Sequence, residues 1–432
     1  MRPSITADDR RSLTDAARRI GEYFCRHAFW SADASRCNWI GRSPMDVLQS
    51  DGLTDRVTAL GPSLYGGNSG IALFLIELYE HTREAVFAEL AHAALRCSLQ
   101  QVEGVRPTIL SNFSGIVGVA LVLQRYQDSA ASELQPIDAE RIVSSIESSS
   151  CEFPPLDAVG GIAGAIPALL FLADAWQNHK LFHLAVTCGE RIVREAKWTD
   201  KLCIWNPNVM TGTDFKRPLA GLAHGASGIA VAMLELYRAT QKSDFLLVAR
   251  GAFTYEDAVF DRRTNNWRDL RFEDTKGEED PQPVAWCHGA PGVALARLTA
   301  RAADPELSPI HEQVALIALG TTVAGIHRNL ILSDHDASLC HGTLGLCEVL
   351  WISFIEFGLG DPSISIQAAL NLVSRYGEQL TWPCGTQTGR LNPSLMLGLA
   401  GIGHHLLRLC RPAEVRPVLL TESFGKVGGW HR

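Results

Sequence analysis

A chain of 432 residues with 46% hydrophobic and 20% charged residues is core-rich. That length suits two or three ordinary domains or one large repeat array, and the composition excludes a mainly disordered protein. A formal charge of -8, with no long basic run, leaves no electrostatic footprint for nucleic acid and no polybasic membrane patch.

Taken in chain order, the N-terminus is polar and lacks the apolar core of a signal peptide. Nowhere do about 18 uninterrupted apolar residues predict a membrane span, so the expected location is cytoplasmic. The eleven cysteines, odd in number and scattered, do not read as a disulfide framework. Free thiols are expected, with a few of them metal ligands. Residues 8–28, with Leu13, Ala16, Ile20 and Phe24 three and four apart, predict a first one-sided helix.

From there a pair of glycines separated by two residues recurs, beginning at Gly67, Gly115, Gly161, Gly225, Gly289, Gly342 and Gly398. Chance puts about three such pairs into a chain with this glycine content, and Gly425 with Gly428 lies out of phase. The phase decides: each of the seven opens an apolar run such as 71–76 or 229–234. Apolar round most of its circumference, such a run predicts a buried helix. One-sided helices are predicted between them, over 83–101, 139–149, 179–198, 244–260, 310–330 and 363–380. No β-alternation is sustained enough to compete.

Seven buried helices alternating with seven one-sided ones predict an all-α fold, an α/α toroid with an inner and an outer layer. A single domain is expected over 1–432, with its core at about 8–411 and a polar C-terminal tail over 412–432. Connections after a buried helix are short. Those before one are long and irregular, as in 199–223 and 264–285, so the long loops gather at one end together with every candidate site residue. The acidic residues of 273–280 read as a solvated loop.

The chemistry concentrates at Trp286-Cys287-His288-Gly289 and Cys340-His341-Gly342, where a thiol and an imidazole precede the helix-opening glycine. Cys287, Cys340 and His341 form a three-ligand zinc set that leaves a fourth tetrahedral position for water or substrate. The alternative is that the cysteines are small buried hydrophobes and His341 a cap. His224 takes the same pre-glycine position one repeat earlier and suits a general acid or base, or a core histidine. Asp157 is placed to orient that histidine or take a proton, or simply to cap a helix. Trp286 reads as a wall, and His288 as support for the ligands or a substrate contact. The other nine cysteines read as packing residues.

With these residues in place, the sequence resembles the lanthionine synthetase C-like cyclase family. The resemblance rests on the sevenfold glycine pair, Ala223-His224-Gly225, the segment Trp286 to Gly292, Cys340-His341-Gly342 and the segment Leu395 to Gly403. It is nearest to the cyclase part of class II lanthipeptide synthetases. The family implies an α/α toroid with zinc on Cys287, Cys340 and His341, His224 as proton donor and Asp157 as an acidic site residue. It implies addition of peptide cysteine thiols to dehydroalanine or dehydrobutyrine, closing lanthionine and methyllanthionine thioether rings. The implied partner is a dehydrated precursor peptide; for the dehydratase that precedes the cyclase in class II enzymes the alternatives are that it acts as a separate chain, or that this chain is a fragment or a repurposed cyclase. A second reading is a zinc-containing protein of the same fold that binds thiols or peptides without catalysis. A glycosidase or terpene cyclase on the same fold needs paired carboxylates or Asp-rich motifs that these loops do not offer.

Overall fold

The computed structural model describes residues 5–42, 57–103, 109–152, 155–271, 282–332, 335–386 and 391–420. The acidic stretch 273–280, the glycines Gly425 and Gly428 and the tail beyond 420 lie outside the described residues. The main helices are α1 (Ala7–His27), α2 (Asn68–Thr82), α3 (Ala85–Glu103), α4 (Ile116–Gln127), α5 (Glu140–Glu147), α6 (Ile162–Ala175) and α7 (His179–Glu195). They continue with α8 (Ala226–Thr240), α9 (Ser243–Ala258), α10 (Ala290–Ala303), α11 (Ser308–Ile331), α12 (Thr343–Phe357), α13 (Pro362–Leu372) and α14 (Leu399–Cys410). A π turn, Val373–Gly377, extends α13. Even-numbered helices are the buried ones and odd-numbered ones are one-sided.

All seven glycines singled out above are the residue immediately before an even-numbered helix, and none of these helix starts has a side-chain cap. The backbone does that work. The first N–H of α6 donates to the Pro155 carbonyl at 3.0 Å, and those of α2, α8, α12 and α14 donate to Gly61, Leu219, Asp336 and Asn392. The preceding loop therefore folds back over the helix start and satisfies donors that otherwise have no partner. This close approach explains the glycine pair. A Cβ on Gly161 would come within 2.2 Å of the Pro155 oxygen, and one on Gly164 within 1.9 Å of the Ala158 oxygen.

The residues divide into two compact units. One comprises Met1–Pro107, Ser114–Ser145 and Ile326–Pro417, and the other Thr108–Phe113, Ile146–Gly325 and Val418–Arg432. Within the first, α2 packs on α3, α4 and α14, α12 packs on α13 and α14, and α1 packs on α14. The first helix is thus the cover of the last buried one, which has no helix following it among the described residues. Within the second unit, α8 lies against α6, α9 and α10, and α6 against α7.

Several boundaries differ from the sequence expectation. The helices expected over 179–198 and 244–260 stop at Glu195 and Ala258, because Trp198 and Phe260 enter two-stranded hairpins, Lys197–Thr199 with Leu202–Ile204 and Phe260–Asp261 with Asn266–Trp267. The helix expected over 139–149 keeps only Glu140–Glu147. The tail expected to be polar is packed as far as it is described: Val415, Val418 and Leu419 are buried, and the Leu419 carbonyl accepts the Trp286 indole N–H at 3.0 Å. Among the described residues α11 is long and apolar enough to cross a membrane by length and composition. Its stripe of Ala315, Ala318, Thr322 and Ile326 is buried, as its one-sided pattern predicts.

Candidate active site

The residue two positions before each helix-opening glycine occupies one structural register. In the second unit the Val159 N–H donates to the Ala223 carbonyl and the Ala223 N–H to the Cys287 carbonyl, both at 3.1 Å. In the first unit Cys340 donates to Met396 at 2.9 Å and Met396 to Tyr65 at 3.0 Å. Cys287 and Cys340 thus hold the same place in successive repeats, each tied through its backbone into the ladder of its own unit. His224, His288 and His341 follow one residue later in three successive repeats.

His224 sits with its Nδ1 2.7 Å from the Asp157 Oδ2. The other carboxylate oxygen of Asp157 accepts the Gly160 N–H at 2.5 Å, so the acid is fixed by its own turn while it grips the ring. Asp157 is therefore no helix cap: Gly161 holds the cap position, and the carboxylate is committed to Gly160 and His224. Carboxylate contact at Nδ1 sets the tautomer and leaves Nε2, on the opposite edge, as the working nitrogen. Burial lowers the proton affinity of His224, but the Asp157 charge and hydrogen bond and the nearby Cys287 outweigh it, and the imidazole pKa is raised. With 27% of its side chain exposed, His224 remains reachable while Asp157, at 2%, does not.

Glu256, on α9, is wholly buried and holds this loop at both ends. Its Oε1 accepts the Gly221 N–H at 3.0 Å and its Oε2 the Ser227 hydroxyl at 2.5 Å, with His224 between them. Gly221 has φ +92, and a Cβ there would meet the Cys287 oxygen at 3.2 Å. The sequence did carry a signal for Glu256, an acid on the buried stripe Phe245, Ala249, Ala252 and Phe253.

His288 is buried, its ring centroid 5.8 Å from that of His224. Burial, with Arg271, outweighs the pull of Cys287 and Asp269 and lowers its pKa to about 4, so it is neutral. Trp286 has no surface to offer a substrate: it is fully buried, packed edge-on to Phe113 at 5.4 Å and hydrogen-bonded to the backbone. It anchors the turn rather than lining a wall.

Cys340 is nearly buried, while His341 has 40% of its side chain exposed and its Nε2 lies 3.6 Å from the Asp336 Oδ2. Asp336, which sequence spacing did not reveal, is held by the Ser338 N–H at 2.7 Å. A Cβ on Gly385 would come within 2.7 Å of the His341 Nε2, so only glycine leaves the ring its room. One ligand atom each from Cys287, Cys340 and His341 lie within 4.8 Å of one another. Around a tetrahedral zinc, two thiolates and an imidazole nitrogen stand roughly 3.6–3.8 Å apart, so the donor set fits that ion. Among the described residues no other group of three potential ligands comes together in this way.

Several known proteins are similar to this chain in sequence or in fold. Residues 58–420 match the family described as lanthionine synthetase C-like protein. The lacticin 481/lactococcin biosynthesis protein LcnDR2 of Lactococcus lactis subsp. lactis is 24% identical over 413 residues, covering 92% of this chain. The chain spans only 40% of that relative's length. The nisin biosynthesis protein NisC of the same organism is 22% identical over 310 residues, covering 66% of this chain and 72% of the relative. A solved structure of nisin cyclase superposes with a TM-score of 0.63 over 94% of this chain and 96% of its own, at 18% identity. That likeness shows the α/α toroid fold. The chain belongs to the lanthionine synthetase C-like family.

Proposed function

We propose that this protein is a zinc-dependent peptide cyclase that closes lanthionine and methyllanthionine rings in a dehydrated precursor peptide. The observation that carries the reading is the Asp157–His224 pair at 2.7 Å, with His224 one repeat before Cys287 and its neighbour Ala223 donating its N–H to the Cys287 carbonyl. The biosynthetic roles named for LcnDR2 and NisC, and the name of the nisin cyclase structure, support it.

Cys287, Cys340 and His341 would hold the metal. Bound there, zinc would lower the pKa of a peptide cysteine and keep its sulfur as a thiolate. The peptide sulfur then forms a bond to the β-carbon of a dehydroalanine or dehydrobutyrine in the same peptide. The alkene pair moves toward the adjacent carbonyl, and the α-carbon takes a proton. His224 delivers that proton from Nε2, and Asp157 fixes the tautomer and steadies the charged ring beforehand. A positioned acid of this kind contributes about 10²- to 10⁴-fold. A dehydratase supplies the alkenes in this reading.

The test is mass spectrometry with thiol labelling of a dehydrated precursor, run with wild type and Cys287→Ala and paired with metal analysis. Wild type is expected to carry zinc and to consume free thiols with no change in peptide mass, and Cys287→Ala to leave them labelled. Zinc in the wild type with every thiol still free would instead mark a binding protein without cyclase activity.

A further inference from the structure

Five of the buried helices close their starts in one way. The first N–H of α2, α6, α8, α12 and α14 donates to the carbonyl seven residues earlier, on Gly61, Pro155, Leu219, Asp336 and Asn392. In α10, the helix opened by the turn that bears Cys287, the carbonyl in that place belongs to Pro283. Here the Ala290 N–H donates instead to the Asn266 Oδ1 at 2.8 Å, and the Asn266 Nδ2 donates to the Pro283 carbonyl at 3.2 Å and to the Gln282 carbonyl at 3.0 Å. A carboxamide is thus inserted into the bond that the other repeats make directly. The glycine beside it differs as well. Gly289 has φ +98, whereas the other six helix-opening glycines have negative φ. A Cβ on Gly289 would meet the Pro283 oxygen at 2.0 Å and the Asn266 Oδ1 at 3.0 Å.

Asn266 is held firmly in this position. It is 2% exposed, and its oxygen and both of its amide hydrogens have partners, which fix the orientation of the carboxamide. Its backbone lies in the strand Asn266–Trp267, paired with Phe260–Asp261, and the Trp267 and Phe260 rings pack with centroids 4.7 Å apart. The carbonyl of its neighbour Asn265 accepts the Thr321 hydroxyl of α11 at 2.7 Å. The same hairpin grips Gln282, whose Nε2 donates to the Asp261 Oδ2 at 2.8 Å. Inside the turn, the Ala285 N–H donates to the His288 carbonyl at 3.1 Å. The Asn266 bridge therefore spans the turn from Pro283 to Ala290, with Cys287 between its ends. The Cys340 turn has the ordinary closure, from the Thr343 N–H to the Asp336 carbonyl at 2.9 Å.

We propose that Asn266 is a positioning residue for the metal centre: its carboxamide, wedged between Pro283 and Ala290, sets the turn that carries Cys287 and so the place of that thiolate relative to Cys340 and His341. The assignment rests on the reading of these three residues as the zinc ligands. Metal–ligand distances tolerate only about 0.2 Å, and groups that orient a ligand from behind typically control about 10- to 100-fold in metal affinity. Without the carboxamide, the Ala290 N–H can close onto the Pro283 carbonyl as in the other repeats, and the turn relaxes away from its ligand-holding form.

The experiment measures zinc affinity of the full chain by competition with a chromophoric chelator, beside the visible spectrum of the cobalt(II)-loaded protein, in wild type, Asn266→Ala, Asn266→Asp and Cys287→Ala. Affinity is read where urea unfolding shows each variant to be folded. Asn266→Ala is expected to weaken zinc binding on the order of 10- to 100-fold. Asn266→Asp keeps an acceptor for the Ala290 N–H but turns an oxygen toward the Gln282 and Pro283 carbonyls. It is expected to weaken zinc binding to a similar degree and to alter the thiolate–cobalt absorption. The aspartate variant carries the test should the alanine variant fail to fold. Wild-type zinc affinity and an unchanged cobalt spectrum in Asn266→Asp overturn the assignment and leave Asn266 a helix cap. Zinc bound as tightly by Cys287→Ala as by wild type overturns the ligand set itself, a result distinct from any effect of the Asn266 variants.

Discussion

Two carboxylate–histidine pairs of nearly equal length occupy very different places in this molecule. Asp157 holds the His224 Nδ1 at 2.7 Å in a loop before a helix, and Glu348 holds the His405 Nδ1 at 2.6 Å between α12 and α14. His224 keeps 27% of its side chain exposed and His405 none. Glu348 is also bound by the Arg408 Nε at 2.7 Å, and Arg408 in turn donates to the Val415 carbonyl at 2.6 Å. The same two functional groups therefore make a partly exposed pair, the proton-transfer pair of the proposed reaction, in one setting and a buried strut in the other. What separates them is access for a substrate and placement at the register of Cys287, neither of which the pair itself supplies.

The comparison breaks most forcefully at the buried pair. Glu348→Ala leaves Arg408 charged and wholly buried without its main counter-ion, which typically costs about 3–5 kcal/mol. Denaturant unfolding should show that loss, while the pH profile of ring formation in the protein that remains folded stays where it was. A displaced profile would mean that the buried pair takes part in the chemistry. The exposed pair should respond in the opposite way. His224 is more basic than an ordinary histidine because Asp157 and Cys287 outweigh its burial. As an acid it works protonated, so activity is present below its pKa and lost as pH rises through it. Asp157→Asn removes the raising charge, so the alkaline limb should move to lower pH, and the rate at neutral pH should fall on the order of 10-fold to 10²-fold. Stability should change less than in Glu348→Ala. An unmoved limb would sever Asp157 from the function of His224.

Much of this was legible in the sequence because the repeat is enforced sterically. Where a loop folds back to within about 2 Å of a would-be Cβ, as at Gly161 and Gly164, no other residue fits, so the glycine pair marks each helix start without homologous sequences. Cys287 and Cys340 could be placed together because they share a register that the glycines announce. Residues that neighbour these groups from outside the register were hidden. Asp336, Asp269 and Arg271 lie in irregular loops, where spacing carries no information about direction. Glu256 was visible only as an acid on an apolar stripe. The early ends of α7 and α9 escaped because strands of two or three residues, such as Phe260–Asp261, are too short to interrupt a helical pattern. The tail was misread because Val415, Val418 and Leu419 are few and set among polar residues, yet they are buried.

The most direct measurement is the single-turnover rate of ring formation in zinc-loaded His224→Ala against wild type, followed by thiol labelling. The account predicts equal zinc content and a rate about 10²- to 10⁴-fold lower in the variant. A variant that retains zinc and closes rings as fast as wild type would contradict it, because the proton would then come from some other group.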